Sequence, residues 1–453
     1  MPSLAPHGLR PGFPAKIPDN VAVSRRRQSD LGYGLFNLIK KYATAARRWL
    51  HLAAVSGHAY DRATMRPLNA RFADLGTTIF TVMSALAVEH DAINLGQGFP
   101  DEDGPLDIRE AAARAAIEGP NQYPPMMGVP ALRQALADHD RRFYGLAYDW
   151  ATETLVTSGA TEALTAAFLA LLAPGDEVVL FEPLYDCYLP IIRQAGAVPR
   201  IVRLQPPEWS IPVDKLRAAF GPRTKLVVIN TPMNPTGKLF DSAELGLIAD
   251  LVQANDAYVL CDEVYEHLVF PGDRHLPIAT LPGLRERSVR VGSAGKTFSL
   301  TGWKVGYLSG PAPLIGVIAK AHQFLTFTTP PALQIGVALG LRKPDSYFDG
   351  LGAALAAKCA RLSDGLRGVG FTPLPVRGAY FVTADIRGVG PTLGDVDFCR
   401  WLTVEAGVAA VPVSAFYDQA EAPPHLVRFC FCKQDTVLDA AIERLRARLR
   451  SAA

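Results

Sequence analysis

Residues 291–307 read VGSAGKTFSLTGWKVGY and place Lys296 in a run of small and hydroxyl residues directly after an apolar strand. A glycine, a lysine and a threonine in this order also occur in nucleotide-phosphate loops. Such a loop requires an earlier glycine at the position of Arg290, so the motif is excluded. Most lysines are exposed on protein surfaces. The role of Lys296 therefore has to be judged from residues elsewhere in the chain.

The composition is that of a globular protein with room for a large and a smaller domain, since the 453 residues are 49% hydrophobic and 20% charged. The formal net charge of +2 provides no broad basic surface. The longest apolar run, near residues 163–173, is too short to span a bilayer. We expect no nucleic-acid partner and no stable membrane insertion.

Cysteine and histidine spacing gives no sign of a metal site. The six cysteines lack CxxC pairs, and we interpret them as buried thiols of a protein in the reducing cytoplasm. The nine histidines also lack ligand spacing, so we interpret His267 and His322 as structural residues. No metal is expected.

Residues 1–64 differ in composition from the rest, with ten lysines and arginines against three aspartates and a basic amphipathic stretch at residues 35–55. Three interpretations remain open: a disordered tail with one induced helix, a membrane-surface or targeting segment, or sequence translated ahead of a true start at Met65. We expect a dispensable extension, with the domain proper beginning near Met65.

Strands and helices alternate after this extension. Apolar strands end at polar residues in the segments 153–159, 177–183, 224–232, 257–263 and 287–293, with helical segments between several of them. Continuous apolar runs between helices predict an α/β fold whose mostly parallel sheet is sandwiched by helices. Such sheets place their sites at the carboxyl ends of the strands.

The domain boundaries follow from changes in this pattern. We expect residues 65–100 to form an arm and part of a smaller domain, and residues 101–311 to form the large domain. Residues 312–345 would lead into a connecting helix from Tyr347 to Val369. Residues 346–453 would complete a smaller α+β domain, because strand segments and a final helix to Arg450 follow that helix.

An amide, a carboxylate, a phenol and an amine follow the ends of successive strands. Asn234 lies in the turn NTPMNPTG, Asp262 and Tyr265 lie in CDEVYEHL, and Lys296 follows the next strand. Alone, each has an ordinary explanation such as a turn or a helix cap. Together they match a pyridine-aldehyde cofactor, whose ring nitrogen a carboxylate keeps protonated, while an amine forms an imine with the aldehyde.

These motifs carry a resemblance to a known family. NLGQGFPD, NQYPP, TSGATEA, FEPLYDCY, NTPMNPTG, CDEVYEHL, SAGKTFSLTGWKVGY and RFCF occur in the family's order across residues 66–450. The chain resembles the class I/II aminotransferases of pyridoxal phosphate (PLP) fold type I. It is most similar to the subgroup of kynurenine, glutamine, methionine and N-succinyldiaminopimelate aminotransferases.

The resemblance implies PLP as cofactor and a catalytic group of three residues. Lys296 would form the Schiff base and then act as acid and base, Asp262 would pair with the pyridinium nitrogen, and Tyr265 would bond the ring hydroxylate. The remaining cofactor contacts implied are Asn234 at the hydroxylate, Tyr185 and Val264 on the ring faces, Ser158, Gly159, Ala160, Thr161, Ser293 and Lys304 at the phosphate, and Tyr123 from a second subunit.

The same resemblance implies a substrate site in which Arg428 grips the α-carboxylate, helped by Asn234 and Gly98, with Phe381 in the pocket. In two positions the chain departs from the family pattern. Lys304 stands where many relatives have arginine, and Tyr185 stands where the subgroup often has phenylalanine. A point charge then replaces a two-pronged donor at the phosphate, and the Tyr185 hydroxyl needs a partner.

We expect a homodimeric PLP-dependent transaminase with a ping-pong mechanism and an aromatic, sulfur-containing or glutamine-like amino donor. N-succinyldiaminopimelate transamination and cysteine-conjugate β-elimination are alternatives. A PLP-sensing transcription regulator is a further alternative, suggested by the basic extension. That extension contains no helix-turn-helix pattern.

Overall fold

The computed structural model describes residues 66, 68–73, 75–418 and 422–450. The predictions for residues 1–64 and for the boundary at Met65 lie outside these residues. In the part of the chain described, no helix is long and apolar enough to cross a membrane.

The strands are short and come in three sheets. In chain order they are β1 (Ile93–Asn94), β2 (Thr154–Thr157), β3 (Glu177–Glu182), β4 (Val198–Arg203), β5 (Thr224–Asn230), β6 (Tyr258–Asp262), β7 (Ser288–Ser293), β8 (Gly306–Ser309), β9 (Thr372–Pro373), β10 (Phe381–Asp385), β11 (Val408–Ala409), β12 (Val411–Pro412) and β13 (Leu426–Cys430).

The helices account for most of the remaining chain. They span Ala70–Ala73, Ile79–Glu89, Leu106–Glu118, Pro130–Tyr144, Ala160–Leu171, Tyr188–Gln194, Val213–Ala219, Ser242–Ala254, Ala294–Thr297, Ala312–Leu325, Pro331–Leu341, Asp345–Arg367, Asp395–Glu405 and Asp435–Arg450. Short 3₁₀ turns lie at Ile278–Thr280, Arg285–Arg287, Thr301–Trp303 and Val413–Phe416.

The central sheet has seven strands in the order β2-β8-β7-β6-β5-β3-β4. Alternate side chains of its inner strands enter two hydrophobic clusters, with Val178 and Leu180 in one and Val179 and Phe181 in the other. Because successive strand residues point to opposite faces, the sheet is buried on both sides. The predicted α/β class with a mostly parallel sheet between helices is confirmed.

One strand of this sheet runs against the others, since β8 is antiparallel to both β2 and β7. The connection from β7 contains the four-residue helix Ala294–Thr297 and a 3₁₀ turn. So short a helix covers about 6 Å, whereas a six-residue strand is about 20 Å long. The chain therefore does not return to the amino end of the sheet, and β8 runs back antiparallel.

The C-terminal region forms a second, antiparallel sheet in the order β12-β13-β10-β9. A separate parallel pair joins β1 to β11, which attaches residues 93–94 to this region. The two short strands β11 and β12 follow each other closely, separated by Ala410 alone. The connecting helix is Asp345–Arg367, two positions earlier than expected at its start, because it begins directly after Pro344. The domain boundaries themselves stay a prediction.

Candidate active site

A cavity of about 380 Å³ lies at the carboxyl edge of the central sheet. The parallel register places Asn230 opposite Asp262, and Asp262 opposite Val291. Ends of β5, β6 and β7 therefore meet at one place. The cavity is lined by Phe80, Gln97, Gly98, Phe99, Gly159, Ala160, Thr161, Leu164, Tyr185, Asn230, Asn234, Asp262, Val264, Tyr265, Ser293, Gly295, Lys296, Thr301, Lys304, Val305, Phe381 and Arg428.

Nearly all residues that the sequence nominated as a site belong to this lining. Ser158 and Tyr123 do not. The Ser158 hydroxyl lies 3.1 Å from Thr329 Oγ1, and its backbone N–H donates to Glu162 Oε2 at 3.0 Å. Tyr123 is 82% exposed.

Lys296 lies on the short helix that follows β7 and reaches into the cavity. Its Nζ donates to the Tyr380 hydroxyl at 3.0 Å, and this hydroxyl donates to the Gly98 carbonyl at 2.8 Å. Burial lowers the pKa of Lys296 below its ordinary value. The geometry therefore provides an oriented amine that gives up its proton more easily than a surface lysine does.

Asp262, the last residue of β6, is a buried carboxylate with one unused oxygen. Oδ2 accepts a hydrogen bond from the Tyr188 hydroxyl at 2.5 Å, whereas Oδ1 has no partner among the described residues. Burial raises the pKa of Asp262 to about 6, although the hydrogen bond from Tyr188 opposes the rise. A buried, unpaired acceptor in a cavity wall fits a protonated ring nitrogen of a bound cofactor.

The other end of the cavity fits a phosphate group. Gly159 adopts φ 84° and precedes the twelve-residue helix Ala160–Leu171, whose first N–H groups are free of helical partners. A Cβ at Gly159 would come within 3.3 Å of Lys304 Nζ. The ammonium group and the helix N-terminus thus converge, and both favour an anion.

Strand β8 also packs closely against the turn at Gly159. A Cβ at Gly306, the first residue of β8, would lie 2.4 Å from the Gly159 carbonyl carbon. Glycine at Gly306 lets β8 pack directly against the turn. The Ser293 side chain lines the same cavity from the end of β7. Residues from three separate chain segments therefore form this end of the site.

Arg428 of β13 is buried, with 1% of its surface exposed. Nη1 donates to Asn234 Oδ1 at 2.7 Å and Nη2 donates to the Gly96 carbonyl at 2.5 Å. Its guanidinium carbon lies 4.1 Å from the centre of the Phe381 ring, with the rings of Phe80 and Phe416 slightly further away. A fixed cation among aromatic rings, beside the cavity, fits a small carboxylate.

The hydroxyl of Tyr185 has a partner within this chain. It hydrogen-bonds with the side chain of Thr161, while burial raises the pKa of Tyr185 above its ordinary value. Tyr265 packs edge-on against Tyr380, with ring centres 5.2 Å apart. The Asn234 backbone N–H donates to Asn230 Oδ1 at 2.8 Å, which fixes the turn that carries it.

Three residues that position the predicted site groups were not predicted from the sequence. Tyr188 donates a hydrogen bond to Asp262, Tyr380 accepts one from Lys296, and Asn230 accepts one from the backbone of Asn234. Tyr188 follows Tyr185 at the spacing of one helical turn, which was a usable signal. No sequence signal indicated Tyr380, because it contacts Lys296 through a hydrogen bond between residues 84 positions apart. His322 is structural as expected, bonded to Glu162 and to the Met126 carbonyl.

We predict that Asp262→Asn stabilises the ligand-free chain at pH 8. The folded state raises the pKa of this carboxyl from 3.8 to about 6, so ionisation at high pH costs about 3 kcal/mol of folding free energy. This cost is absent well below pH 4, where the group is protonated in both states, grows between pH 4 and 6, and stays constant at higher pH. Denaturant unfolding of wild type and variant measures it.

The gain from Asp262→Asn should therefore shrink as the pH falls from 8 towards 4. Asp349→Asn, at an exposed position of the connecting helix, serves as the matched control. A ligand-free Asp262→Asn chain no more stable than wild type at pH 8 would contradict the interpretation that burial disfavours the ionised form of Asp262.

Comparison with known proteins agrees with this geometry. The family model for aminotransferase class I and II matches residues 90–445. The probable N-succinyldiaminopimelate aminotransferase DapC of Mycobacterium tuberculosis is 46% identical over 83% of this chain and 97% of its own length. The methionine aminotransferase of Escherichia coli is 44% identical, covering 84% of this chain and 99% of that protein.

Two further relatives bear on the fold and the subgroup. Kynurenine–oxoglutarate transaminase 3 of Mus musculus is 39% identical over 83% of this chain and 89% of its own. A solved structure of N-succinyldiaminopimelate aminotransferase from M. tuberculosis superposes with a TM-score of 0.82 at 46% identity, covering 84% of this chain and all of that one. The predicted family, subgroup and PLP fold type I are confirmed. The chain belongs to the class I and II aminotransferases, and it is a PLP-dependent transaminase.

Proposed function

We propose that Lys296 is the residue that binds PLP covalently and moves the reaction's proton. The observation that carries this proposal is the pairing, in one cavity, of an amine with a lowered pKa and a buried carboxylate with an unpaired oxygen. Asp262 would hold the ring nitrogen. Tyr265 and Asn234 would hold the ring hydroxyl, and Tyr185 and Val264 would contact the two ring faces.

The phosphate would be held where positive charge and free N–H groups converge. The residues that would bind it are Ser158, Gly159, Ala160 and Thr161 at the start of the helix, with Ser293 and Lys304. Lys304 has a positive φ of 53°, which aims its side chain back towards the Gly159 turn. Lysine therefore supplies the cation that arginine supplies in many relatives, as a point charge.

When bound, PLP supplies an electron sink for the electrons of the bond broken at the substrate's α-carbon. Lys296 Nζ would accept the proton released there and would return it on the aldehyde side of the cofactor. The lowered pKa of Lys296 increases the fraction of uncharged amine at neutral pH. Tyr380 orients Nζ through the hydrogen bond between them.

Arg428 fixes the substrate by its α-carboxylate. The guanidinium is already held by Asn234 and the Gly96 carbonyl, so little side-chain entropy is lost when the carboxylate binds. Gly98 would contribute a backbone contact, and Tyr380 holds its carbonyl in place. The Phe381 ring, packed against the guanidinium, keeps water away and strengthens the ion pair.

The cavity favours an aromatic, sulfur-containing or glutamine-like donor. Phe80, Phe99 and Phe381 provide apolar surface. The cationic lining residues among those described are Lys296, Lys304 and Arg428, and each already has a role. An N-succinyldiaminopimelate substrate carries further carboxylates that these residues leave without a partner. It remains the alternative because a relative of that name is 46% identical.

Cysteine-conjugate β-elimination is a second alternative, since it uses the same lysine and diverges only after the α-proton has been removed. A weak or absent transamination rate together with rapid release of pyruvate and ammonia would identify it. The two reactions differ in product and not in the residues they need.

We predict that the PLP-loaded enzyme transaminates phenylalanine, methionine or glutamine faster than N-succinyl-LL-diaminopimelate. Steady-state rates with 2-oxoglutarate and 2-oxo-4-methylthiobutyrate as acceptors measure this. The double-reciprocal lines should be parallel, as a ping-pong mechanism requires. Phenethylamine, which lacks the carboxylate, is the matched control and should not react. A preference for the succinylated substrate, or equal rates with phenethylamine, would contradict the proposed substrate site.

We propose that two copies of the chain form a dimer in which Tyr123 reaches the phosphate site of its partner. The supporting observation is that Tyr123 is 82% exposed, and the large apolar side chains of Phe324 and Ile117 are also exposed, at 84% and 85%. Exposed apolar side chains of this size are what an interface between two copies would bury. The Tyr123 ring also contacts Phe327, at 5.3 Å between ring centres.

We predict that mixing two inactive variants, Lys296→Ala and Tyr123→Ala, restores activity. In a hybrid dimer, one of the two sites has the intact lysine and receives the intact tyrosine. Random exchange should therefore return about a quarter of the wild-type sites, as measured by activity after co-refolding. Refolding each variant alone is the control. No recovery in verified hybrid dimers, or a fully active monomer, would contradict this arrangement.

We place the enzyme in the cytoplasm, because its six cysteines are all free thiols, as is usual in a reducing compartment. Recovery of the activity in a membrane or secreted fraction of the source cells would contradict this.

A further inference from the structure

The segment from Asp262 to His267 has two faces. Asp262, Val264 and Tyr265 line the cofactor cavity, and Glu263, Glu266 and His267 do not. His267 Nε2 lies 2.7 Å from Nε2 of His139, on the helix Pro130–Tyr144. One ligand atom each of His139, Glu266 and His267 falls within 4.8 Å of the others. The turn that carries the cofactor residues thus carries a second cluster behind them.

Buried carboxyl groups outnumber buried guanidinium groups beside this cluster. Arg290 Nε donates to Glu263 at 2.6 Å and Nη2 donates to Glu266 Oε2 at 2.8 Å, and Nη1 pairs with Asp140. Three buried carboxylates therefore face one guanidinium.

A cleft of about 390 Å³ gives access to the cluster, and Glu266, His267 and His275 all line it. His275 is buried at 4% exposure, and neither of its ring nitrogens makes a hydrogen bond within the described residues. Its Nε2 lies 3.3 Å from Glu263 Oε2 without hydrogen-bond geometry. Unpaired imidazole nitrogen in a wall of the same cleft is a second, independent sign of a missing ligand.

We propose that His139, His267 and Glu266 bind a divalent transition-metal ion of the zinc type, with His275 beside them in the cleft. Two imidazoles and one carboxylate form a ligand set that zinc uses in proteins. A divalent cation would add positive charge beside three buried carboxyl groups that share one guanidinium. Histidine spacing in the sequence did not indicate this site, because 128 positions separate His139 from His267.

The geometry requires a small adjustment. Nitrogen ligands at about 2.0 Å from tetrahedral zinc stand about 3.3 Å apart, so the two imidazoles would separate by about 0.6 Å from their 2.7 Å contact. His267 borders the cleft and has room to move. Glu266 keeps its bond to Arg290 through Oε2. The Tyr144 hydroxyl also hydrogen-bonds to the Glu266 carboxylate, so the ion would share this carboxylate with Tyr144. A bound ion would then fix the segment whose other face carries Asp262 and Tyr265.

The test is calorimetric titration of Zn²⁺ into chelator-treated, PLP-loaded wild-type enzyme, followed by metal analysis after dialysis. We expect one retained ion per chain and a higher unfolding temperature. Co²⁺ in its place should show the visible absorption of a tetrahedral site with nitrogen ligands. Failure of the wild type to take up Zn²⁺ overturns the proposal, and leaves the histidine pair as a hydrogen bond only.

Variants locate the ion. His267→Gln and Glu266→Gln should each weaken Zn²⁺ binding by about 100-fold or more, because losing even an outer partner of a zinc ligand costs about 10- to 100-fold. His90→Ala, at an exposed histidine, is the matched control and should bind as wild type does. Unchanged affinity in both cluster variants overturns the proposal. The sulfurs of Cys430 and Cys432 lie 3.1 Å apart. Loss of Zn²⁺ binding in Cys432→Ser alone would also overturn the proposal, because the ion would then bind at this cysteine pair.

Discussion

Three neighbouring parallel strands end at the same edge of the central sheet, and the site depends on this constraint. The register sets Asn230 beside Asp262 and Asp262 beside Val291, so the residues that follow each strand must share one cavity. Both faces of the sheet are buried, which makes this edge rigid. A carboxylate and an amine held there are kept in relative position without a direct contact between them.

Burial then gives these groups their chemistry. The same loss of water raises the pKa of Asp262 and lowers that of Lys296, because both charged forms are disfavoured away from solvent. In the ligand-free chain this is a cost in stability. A bound cofactor with a protonated ring nitrogen would relieve it at Asp262. Stability and cofactor binding are therefore linked through the same carboxylate.

Much of this arrangement could be predicted from the sequence. Apolar runs that end in polar residues predicted the strands β2, β3, β5, β6 and β7. They also predicted that the site lies at the carboxyl edge of the central sheet. The edge strand β4 and the antiparallel β8 were missed. The first is half exposed along its length, and the second is only four residues long after a connection without a clear helical pattern.

Long-range contacts between side chains could not be predicted in this way. Tyr380 and Lys296, and likewise His139 and His267, meet only because separate elements pack together. The turn from Asp262 to His267 joins the two clusters, with cofactor residues on one face and imidazole and carboxylate groups on the other. Any ion held behind this turn would act on the site through the backbone they share.

The central claim is that Lys296 carries the cofactor. Borohydride reduction of the PLP-loaded protein, followed by proteolysis and mass spectrometry of the lysine peptides, tests it most directly. The pyridoxyl label is expected on Lys296 alone, and Lys304, in the same segment, should remain unlabelled. A label on any other lysine of the wild type, or a reduced covalent link that persists in Lys296→Ala, would contradict the claim.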